Sequence, residues 1–595
     1  MPYKIGESKK KTISQSAPLT SPSQRNTEDY QAGEGLGIAT TRIKERMQAL
    51  RGELIITPIK FLASQCVDNG GVLFLLPFLL SNGLLSYQKH YKALDPGYYD
   101  LDITILSLAF MYLCRIKNPE QLRNVSPGEF GKLLGLDRIA EARTLREKIH
   151  EIVEQKKCKE WNRELAHEWV EKEENTFFYV DGHVKVYSGY AANLGKKHVS
   201  RLQLCLPGMM EFWVNNSAGM PYFVITGEVN EKLIEMLKTV IVKEIEEKIS
   251  IPVAQSELDN DPDLPKFTLI FDREGYSPEY FAELWGQRIA VITYRKNVQD
   301  VWDEKDFTTH TLEIDGNQTT MELAEKQVEI KGVILREVRK KTQSGHQTSI
   351  ITTNKKLSLV LIATQMFSRW AQENFFKYLI KEYDLDRIIH YIVNKIDDDV
   401  EVVNPAYSKL TNTLKKVREK ITQKQSYLYQ VISQNLEDDV DKTEVVIKKQ
   451  IAIKAELESL QEAEKQIINQ RKQQSYKIKI KDMEETIRYS KIDVESKYFQ
   501  NIIKMICYRA ETNLAIHLAV DYKQKVNQMR ALAKSLISAK ANIIPKEDEK
   551  LLIVELYSLA TPRDNMAVKQ ICKLLNDSET IYPCTDLKLF YKTAT

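Results

Sequence analysis

The stretch Thr176-Phe-Phe-Tyr-Val-Asp-Gly-His183 decides how this sequence is expected to fold. Five β-favouring residues run into Asp181, and Gly182 follows, the pattern of a buried strand that delivers one carboxylate to its end. A lone acid there is usually a turn-former bonded to its own backbone. A second place of the same kind changes its weight. Lys266-Phe-Thr-Leu-Ile-Phe-Asp-Arg-Glu-Gly275 is another apolar run that stops at an acid, Asp272, and Ser277-Pro278-Glu279 then opens a helix with a cap, a proline at the first position and an acid in the first turn. Strand, carboxylate, turn and helix make an α/β order, and such folds collect ligands outside the carboxyl ends of their strands.

The third piece is helical. Across 357–384, Leu361, Met366, Phe367, Phe375, Phe376, Leu379 and Ile380 recur at helical intervals without a proline. Arg369, Glu373 and Lys377 stand four residues apart, so one face carries cation, acid and cation. By itself that is a solvated, salt-bridged face.

Together the three stretches resemble the DDE transposases of bacterial insertion sequences, whose catalytic domain is RNase H-like. The matching positions are Asp181 at the end of the first strand, Asp272 at the end of the fourth, and Glu373 in the late helix. The stretch between Asp272 and Glu373 is too long for the compact spacing of retroviral integrases. It is similar to the subgroup that places a β-rich insert before the glutamate helix and carries a Tyr, Arg, Glu, Lys signature around it. Arg369 fits that signature, Met366 stands where the Tyr would be, and Lys377 or Lys381 lies near the Lys offset.

The resemblance implies an α/β RNase H-like catalytic core over 170–299 and 354–400 with a β-rich insert over 300–353. An all-α N-terminal region and an α-helical, coiled-coil-containing C-terminal region flank it. Asp181 would bridge two Mg²⁺ ions, with Mn²⁺ a possible substitute, while Asp272 and Glu373 each hold one. Arg369 and Lys377 would hold phosphates. Carboxylates are hard oxygen ligands suited to such ions, and a pair of ions serves in-line displacement at phosphorus. Double-stranded DNA, as element ends and target, is the implied substrate, and a homodimer is expected because two ends must meet. A DNA nuclease that hydrolyses without joining, and a non-catalytic DNA-binding or assembly protein descended from a transposase, are the alternatives.

Around this core, the 595 residues allow three or four domains, and 43% apolar composition suffices for real cores. Net charge is only +3, so contact with nucleic acid must come from local basic patches. Seven cysteines without a Cys-x-x-Cys pair argue for reduced thiols and against a zinc site or a disulfide framework. The expected location is cytoplasmic, on the nucleoid when DNA is bound. No membrane segment is expected, since the apolar run 72–80 contains Pro77 and is far short of the ~20 residues a span needs.

Residues 1–38, rich in polar residues, read as a flexible arm. Residues 39–160 read as a helical DNA-binding domain. Within it Ser126-Pro127-Gly128-Glu129 has capping-box form, and a second helix displays Arg143, Arg146 and Lys148. The stretch 126–155 is either a helix-turn-helix for a major groove or an ordinary helical hairpin, as its acids Glu141, Glu147 and Glu151 equally allow.

In the core, 183–187 and 199–206 read as the second and third strands, joined by a basic turn with Lys196 and Lys197 suited to phosphates. A helix is expected over 230–249 and, after the Asp272 strand and its helix, a further strand over 289–294. The insert reads as strands 308–314, 327–337 and 348–353, and its Arg339, Lys340 and Lys341 are candidate DNA contacts. Heptad-spaced apolar residues over 405–490, interrupted by an acidic break at 436–443, predict an antiparallel coiled coil. The remainder, 491–595, reads as a helical domain with Ile544-Pro545 as a break and 551–556 strand-like.

Overall fold

A computed structural model describes residues 39–594 apart from 188–193, 195, 200–203, 229–230, 250–252, 315–316, 387–392, 396–398, 400, 433–439, 484–489, 493 and 523–525. The expected arm at 1–38 and residues 436–439 of the acidic break lie outside the described residues, while 440–443 of that break begin a helix. The chain forms two units. One contains 1–188, 195–390 and 493–595, and the other 189–194 and 391–492.

The first unit is built on a ten-stranded sheet. Strands β1 (Phe177–Val186), β2 (Leu204–Asn215), β3 (Pro221–Glu228), β4 (Phe267–Phe271) and β5 (Ile289–Tyr294) lie in the order β3-β2-β1-β4-β5. The pairs β1/β2 and β2/β3 are antiparallel, while β1/β4 and β4/β5 are parallel. Strands β6 (Thr308–Ile314), β7 (Asn317–Ile330), β8 (Val333–Lys341) and β9 (Gln347–Thr352) then continue the same sheet beyond β5 through β9. The insert at 300–353 is therefore an extension of the same sheet.

Several expected boundaries move. Residues 183–187 are no separate strand, because the ladder to β2 runs on through Asp181 and Gly182 as far as Val186. Pairing of Asp181 and Gly182 with Trp213 and Phe212 on β2 outweighs the local turn preference of Asp-Gly. The second strand is β2, entered from a short strand Lys196–Val199, and it passes through Pro207-Gly208. A side chain at Gly208 would strike the Lys185 carbonyl, so this crossing needs a glycine. The expected strand 327–337 is two strands joined at Lys331-Gly332, both with positive φ. The helix expected at 230–249 spans 233–248 with a π turn at Leu237–Ile241.

One sheet face carries Phe178, Val180, Phe267 and Leu269 into the main core with Leu237, Ile241 and Ile245. On the other, Tyr179, Ile270, Ile292, Val338 and Ile350 pack against Ile362 and Met366 of helix α1 (Leu359–Phe367). Helix α2 (Arg369–Tyr383) follows after Ser368 and buries Phe375, Phe376, Leu379 and Tyr383. At roughly 1.5–3 kcal/mol for each large apolar side chain, this packing outweighs the helix's intrinsic propensity.

The flanking regions are not purely helical, and they share the main core. Ser64–Val67, Ala541–Lys546, Leu551–Leu556 and Lys588–Thr593 form a four-stranded sheet in that order. Pro545 sits inside a strand there, opposite Leu552, and the other side of that strand pairs with Ser64–Val67, joining the N- and C-terminal regions. The apolar run 72–80 is buried in the same core, and no described helix is long and apolar enough to cross a membrane. Helix Val494–Tyr522 contacts all three regions: Cys507 Sγ donates to the Ala109 carbonyl, Asn501 to Glu211 on β2, and Tyr383 of α2 donates to Glu511.

In the stretch 126–155, helices Pro127–Leu133 and Ala142–Glu154 are joined through Gly135, which has positive φ. Ser126 makes no side-chain cap. Asp137 in the connection pairs with Arg46 at 2.7 Å and accepts from Tyr98, and these bonds, outweighing its burial, hold its carboxyl down at about 2.

In the second unit, helices Pro405–Ile432 and Val440–Lys472 lie antiparallel. Arg418 pairs with Glu464 and Lys424 with Glu456, while Ile421, Val431, Ile453 and Leu457 fill the seam. Two short ladders, Glu401–Val403 with Lys477–Lys479 and Val393–Lys395 with Ser490–Ile492, close the base.

Candidate active site

Register brings the two aspartates together. Tyr179 on β1 pairs with Ile270 on β4, and Ile270 with Ile292 on β5. Two residues further along each chain stand Asp181, Asp272 and Tyr294, on the face that α1 covers, because side chains alternate with period two. Neighbouring strands are ~4.8 Å apart, so the three form a row across the sheet. Asp181 lies within β1, not at its end, while Asp272 is the first residue past β4 and caps the turn Arg273–Gly275 by accepting from the Glu274 amide at 2.8 Å.

Burial pushes the Asp181 carboxyl up to about 7, and the charges of Asp272 and Glu274 act in the same direction. Arg369 opposes them, with Nη2 3.7 Å from Asp181 Oδ1. The Asp181 side chain nevertheless remains 24% exposed, so water and ligands reach it. The Arg369 side chain is 12% exposed, and its buried Nε has no hydrogen-bond partner among the described residues.

Helix α2 is held in place by one amide. Gln372 Nε2 donates to the carbonyls of Tyr179 and Trp213 and to Asn215 Oδ1, so the helix is pinned over β1 and β2. Gly219 (φ +78°), in the β2–β3 turn, lies against the Ala371 carbonyl and leaves no room for a side chain. This places Arg369 beside Asp181. Glu373, one turn later, acts electrostatically on the Tyr294 phenol, as do Arg369, Arg273 and Asp272, although burial is the main cause of the phenol's raised pKa.

A buried acid beside a second acid is an oxygen-donor pair in want of positive charge, and the pair fits a hard divalent cation such as Mg²⁺. Among the described residues, no group of three His, Cys, Asp or Glu side chains stands close enough to hold a metal ion. Asp181 and Asp272 are thus the two carboxylates that the strand register itself brings side by side. Glu373 is 48% exposed and lies 4.0 Å from Lys377, and its charge acts on the Tyr294 phenol. Lys377 points to the exposed Trp370, 4.2 Å from its ring centre.

The remaining expected contacts divide. Arg339 is not on a DNA-facing surface: it is fully buried, bound to Glu337 and Asp300, and lies 4.3 Å from the Trp302 ring centre. Strand alternation puts Arg339 and Lys341 on one face of β8 and Lys340 on the other. Lys341 reaches Glu322 at 3.5 Å, and its side chain is only 13% exposed. Lys340 sits on the acids' face, 4.7 Å from the Phe367 ring centre. Arg143 is exposed and paired with Glu147 at 2.9 Å, and Arg146 reaches Glu120 at 2.6 Å. Lys196 is exposed, and Lys197 is half-buried beside Met210.

Sequence reasoning missed Tyr294, Arg273 and Gln372. The strand ending at Tyr294 was legible, but only its register with β4 sets the phenol beside Asp272.

A family described as "Transposase protein" matches residues 35–595, nearly the whole chain and all the elements that build this site. No curated protein matches the chain. The match takes in the N-terminal helices, the sheet, the helical hairpin and the C-terminal region together, and on that extent the chain belongs to this transposase family.

Proposed function

We propose that this transposase cuts the ends of its mobile element and joins them to target DNA by phosphoryl transfer at Asp181, Asp272 and Glu373. The observation that carries the reading is the row on neighbouring parallel strands, with Asp181 raised to about 7 and Arg369 at 3.7 Å. A sheet whose first and fourth strands are parallel neighbours, each bearing an acid, supports an RNase H-like core.

Asp181 and Asp272 would hold Mg²⁺, or Mn²⁺ in its place, and Glu373, which does not stand with them as a group of three, is assigned as the third carboxylate from the resemblance. The ions, when bound, supply Lewis acidity at phosphoryl oxygen and a more acidic attacking oxygen. The chain's own residues orient and exclude. Arg369, held by the helix that Gln372 pins, offers N–H donors to a non-bridging phosphate oxygen. Helix α1 seals the sheet face beneath, so the acids meet substrate from one side only. Water attacking at the element end frees a 3′ hydroxyl, and that hydroxyl can attack target DNA at the same centre. Lys377, beside Glu373, would hold a flanking phosphate. A homodimer, one copy per end, is part of the proposal.

The test uses a labelled duplex carrying one element end, read from the DNA flanking the gene. Asp181→Asn, Asp272→Asn and Glu373→Gln are expected to abolish Mg²⁺-dependent cutting while leaving binding nearly intact. Normal cutting by any one of them would remove that residue from the site. A precut end that is never joined to a second duplex would mark the chain as a nuclease without strand transfer.

A further inference from the structure

The face that carries the acids also carries two cations that, among the described residues, have no carboxylate to hold. Arg273 follows Asp272 directly, is exposed, and sets its guanidinium carbon 5.7 Å from the Tyr294 ring centre. Lys340 stands two residues beyond Val338 on β8. Val338 pairs with Ile350 on β9, and Ile350 pairs with Tyr294. Arg273, Tyr294 and Lys340 thus border the area that α1 covers. Among the described residues, neither Arg273 nor Lys340 has a carboxylate within ion-pair distance, whereas nearby Arg336, Arg339 and Lys341 are all taken by acids. Each free cation leans on a ring instead, Arg273 on Tyr294 and Lys340 on Phe367. A cation propped this way keeps N–H groups free for an oxygen acceptor.

We propose that Arg273, Tyr294 and Lys340 form a backbone track that seats the DNA strand being cut, running across the sheet from the acids towards β8. The assignment rests on the phosphoryl-transfer reading above. From β4 to β8 is three strand steps, roughly 14 Å, or about four phosphate steps at 3.4 Å along a duplex axis. Arg273 takes the phosphate beside the cut, the Tyr294 hydroxyl donates to the next, and Lys340 holds the strand further out. The track reads no bases. It fixes the register of the strand against Asp181 and Asp272.

The experiment measures binding of the labelled element-end duplex across a KCl series, with every variant built on Asp181→Asn so that the probe stays intact. Each phosphate contact contributes about 0.9 to the slope of log K against log salt. Arg273→Gln and Lys340→Gln are each expected to lower the slope by about that amount, Arg273→Lys to keep it, and Lys550→Gln, on a distant exposed pair, to leave it unchanged. In the otherwise unaltered protein, Tyr294→Phe is expected to slow cutting about 10-fold, as for one lost hydrogen bond in a charged site. Unchanged slopes for both Arg273→Gln and Lys340→Gln overturn the track even if the acids prove essential. Failure of the unaltered protein to cut the duplex in Mg²⁺ overturns the reading of the acids instead, whatever the slopes.

Discussion

Gln372 on α2 and Asn215 on β2 are joined by a 3.0 Å hydrogen bond between two side chains sealed from solvent. This bond, with those from Gln372 to the Tyr179 and Trp213 carbonyls, ties the helix carrying Arg369 and Glu373 to the strand carrying Asp181. Gln372→Leu leaves the Asn215 oxygen without this donor, at a cost of about 1–3 kcal/mol. The expected result is a lower thermal midpoint and, at a temperature where the variant is folded, slower DNA cutting with little change in Kd. Equal loss of binding and cutting would mean that the amide only holds the fold.

Gly219 meets the same helix from the turn. A side chain there would come 2.6 Å from the Ala371 carbonyl, and its φ of +78° is itself costly for any residue with a Cβ. Gly219→Ala is expected to destabilise by about 1–3 kcal/mol and to push α2 away from β1. Cutting should then fall further than for Gly332→Ala, a hairpin glycine with similarly positive φ but open space around it.

Asp181 bears on stability as well as chemistry. Its carboxyl is raised from 3.8 to about 7 by burial, so the folded chain holds a proton that the unfolded chain has released. That contribution is fully present below pH 3.8 and is lost as pH rises through 7. At pH 8, Asp181→Asn is therefore expected to raise the thermal midpoint by a few degrees, and at pH 4 to change it little. In the same calorimetry Mg²⁺ should raise the midpoint of the unaltered protein and not that of the variant. A variant less stable at pH 8 would contradict this account.

Lys185 and Glu211 are both sealed from solvent, 3.1 Å apart, with Lys497 and Lys185 converging on the Leu385 carbonyl just past α2. Glu211→Gln leaves the buried lysine charge uncompensated and is expected to cost about 3–5 kcal/mol. Burial holds Lys185 down at about 8, against 10.5 for an ordinary lysine. Between those values the unfolded chain binds the extra proton, so this lysine makes stability rise with pH there. Lys185→Met should flatten that rise, which thermal midpoints at pH 7.5 and pH 10 would show.

The strands that end near Asp272 and Tyr294, the helix that opens at Pro278, and the apolar periodicity of α2 were all legible, because each is a local pattern of burial. The second strand was misplaced because Asp181-Gly182 and Pro207-Gly208 both look like turns. Each is carried through a ladder by a neighbouring strand, Asp181-Gly182 by Trp213 and Phe212, Pro207-Gly208 by Lys196 and Val186, and that pairing is not written in either dipeptide. The basic run at 339–341 read as one patch, and strand alternation splits it so that only Lys340 keeps the face of the acids. The sheet joining Ser64–Val67 to Ala541–Lys546 could not be seen in either segment alone, since each is short and finds its partner almost five hundred residues away.

By itself, the sequence determined that two apolar strands each deliver an aspartate and that a helix displays Arg369 and Glu373 on one face, because hydrophobic periodicity and backbone preference act over a few residues. Only the tertiary structure decided that Asp181, Asp272 and Tyr294 share a row, that Arg369 approaches Asp181, and that Arg339 is buried. Those outcomes depend on strand register and on which face α1 covers, and both are settled by packing among segments that local preference does not connect.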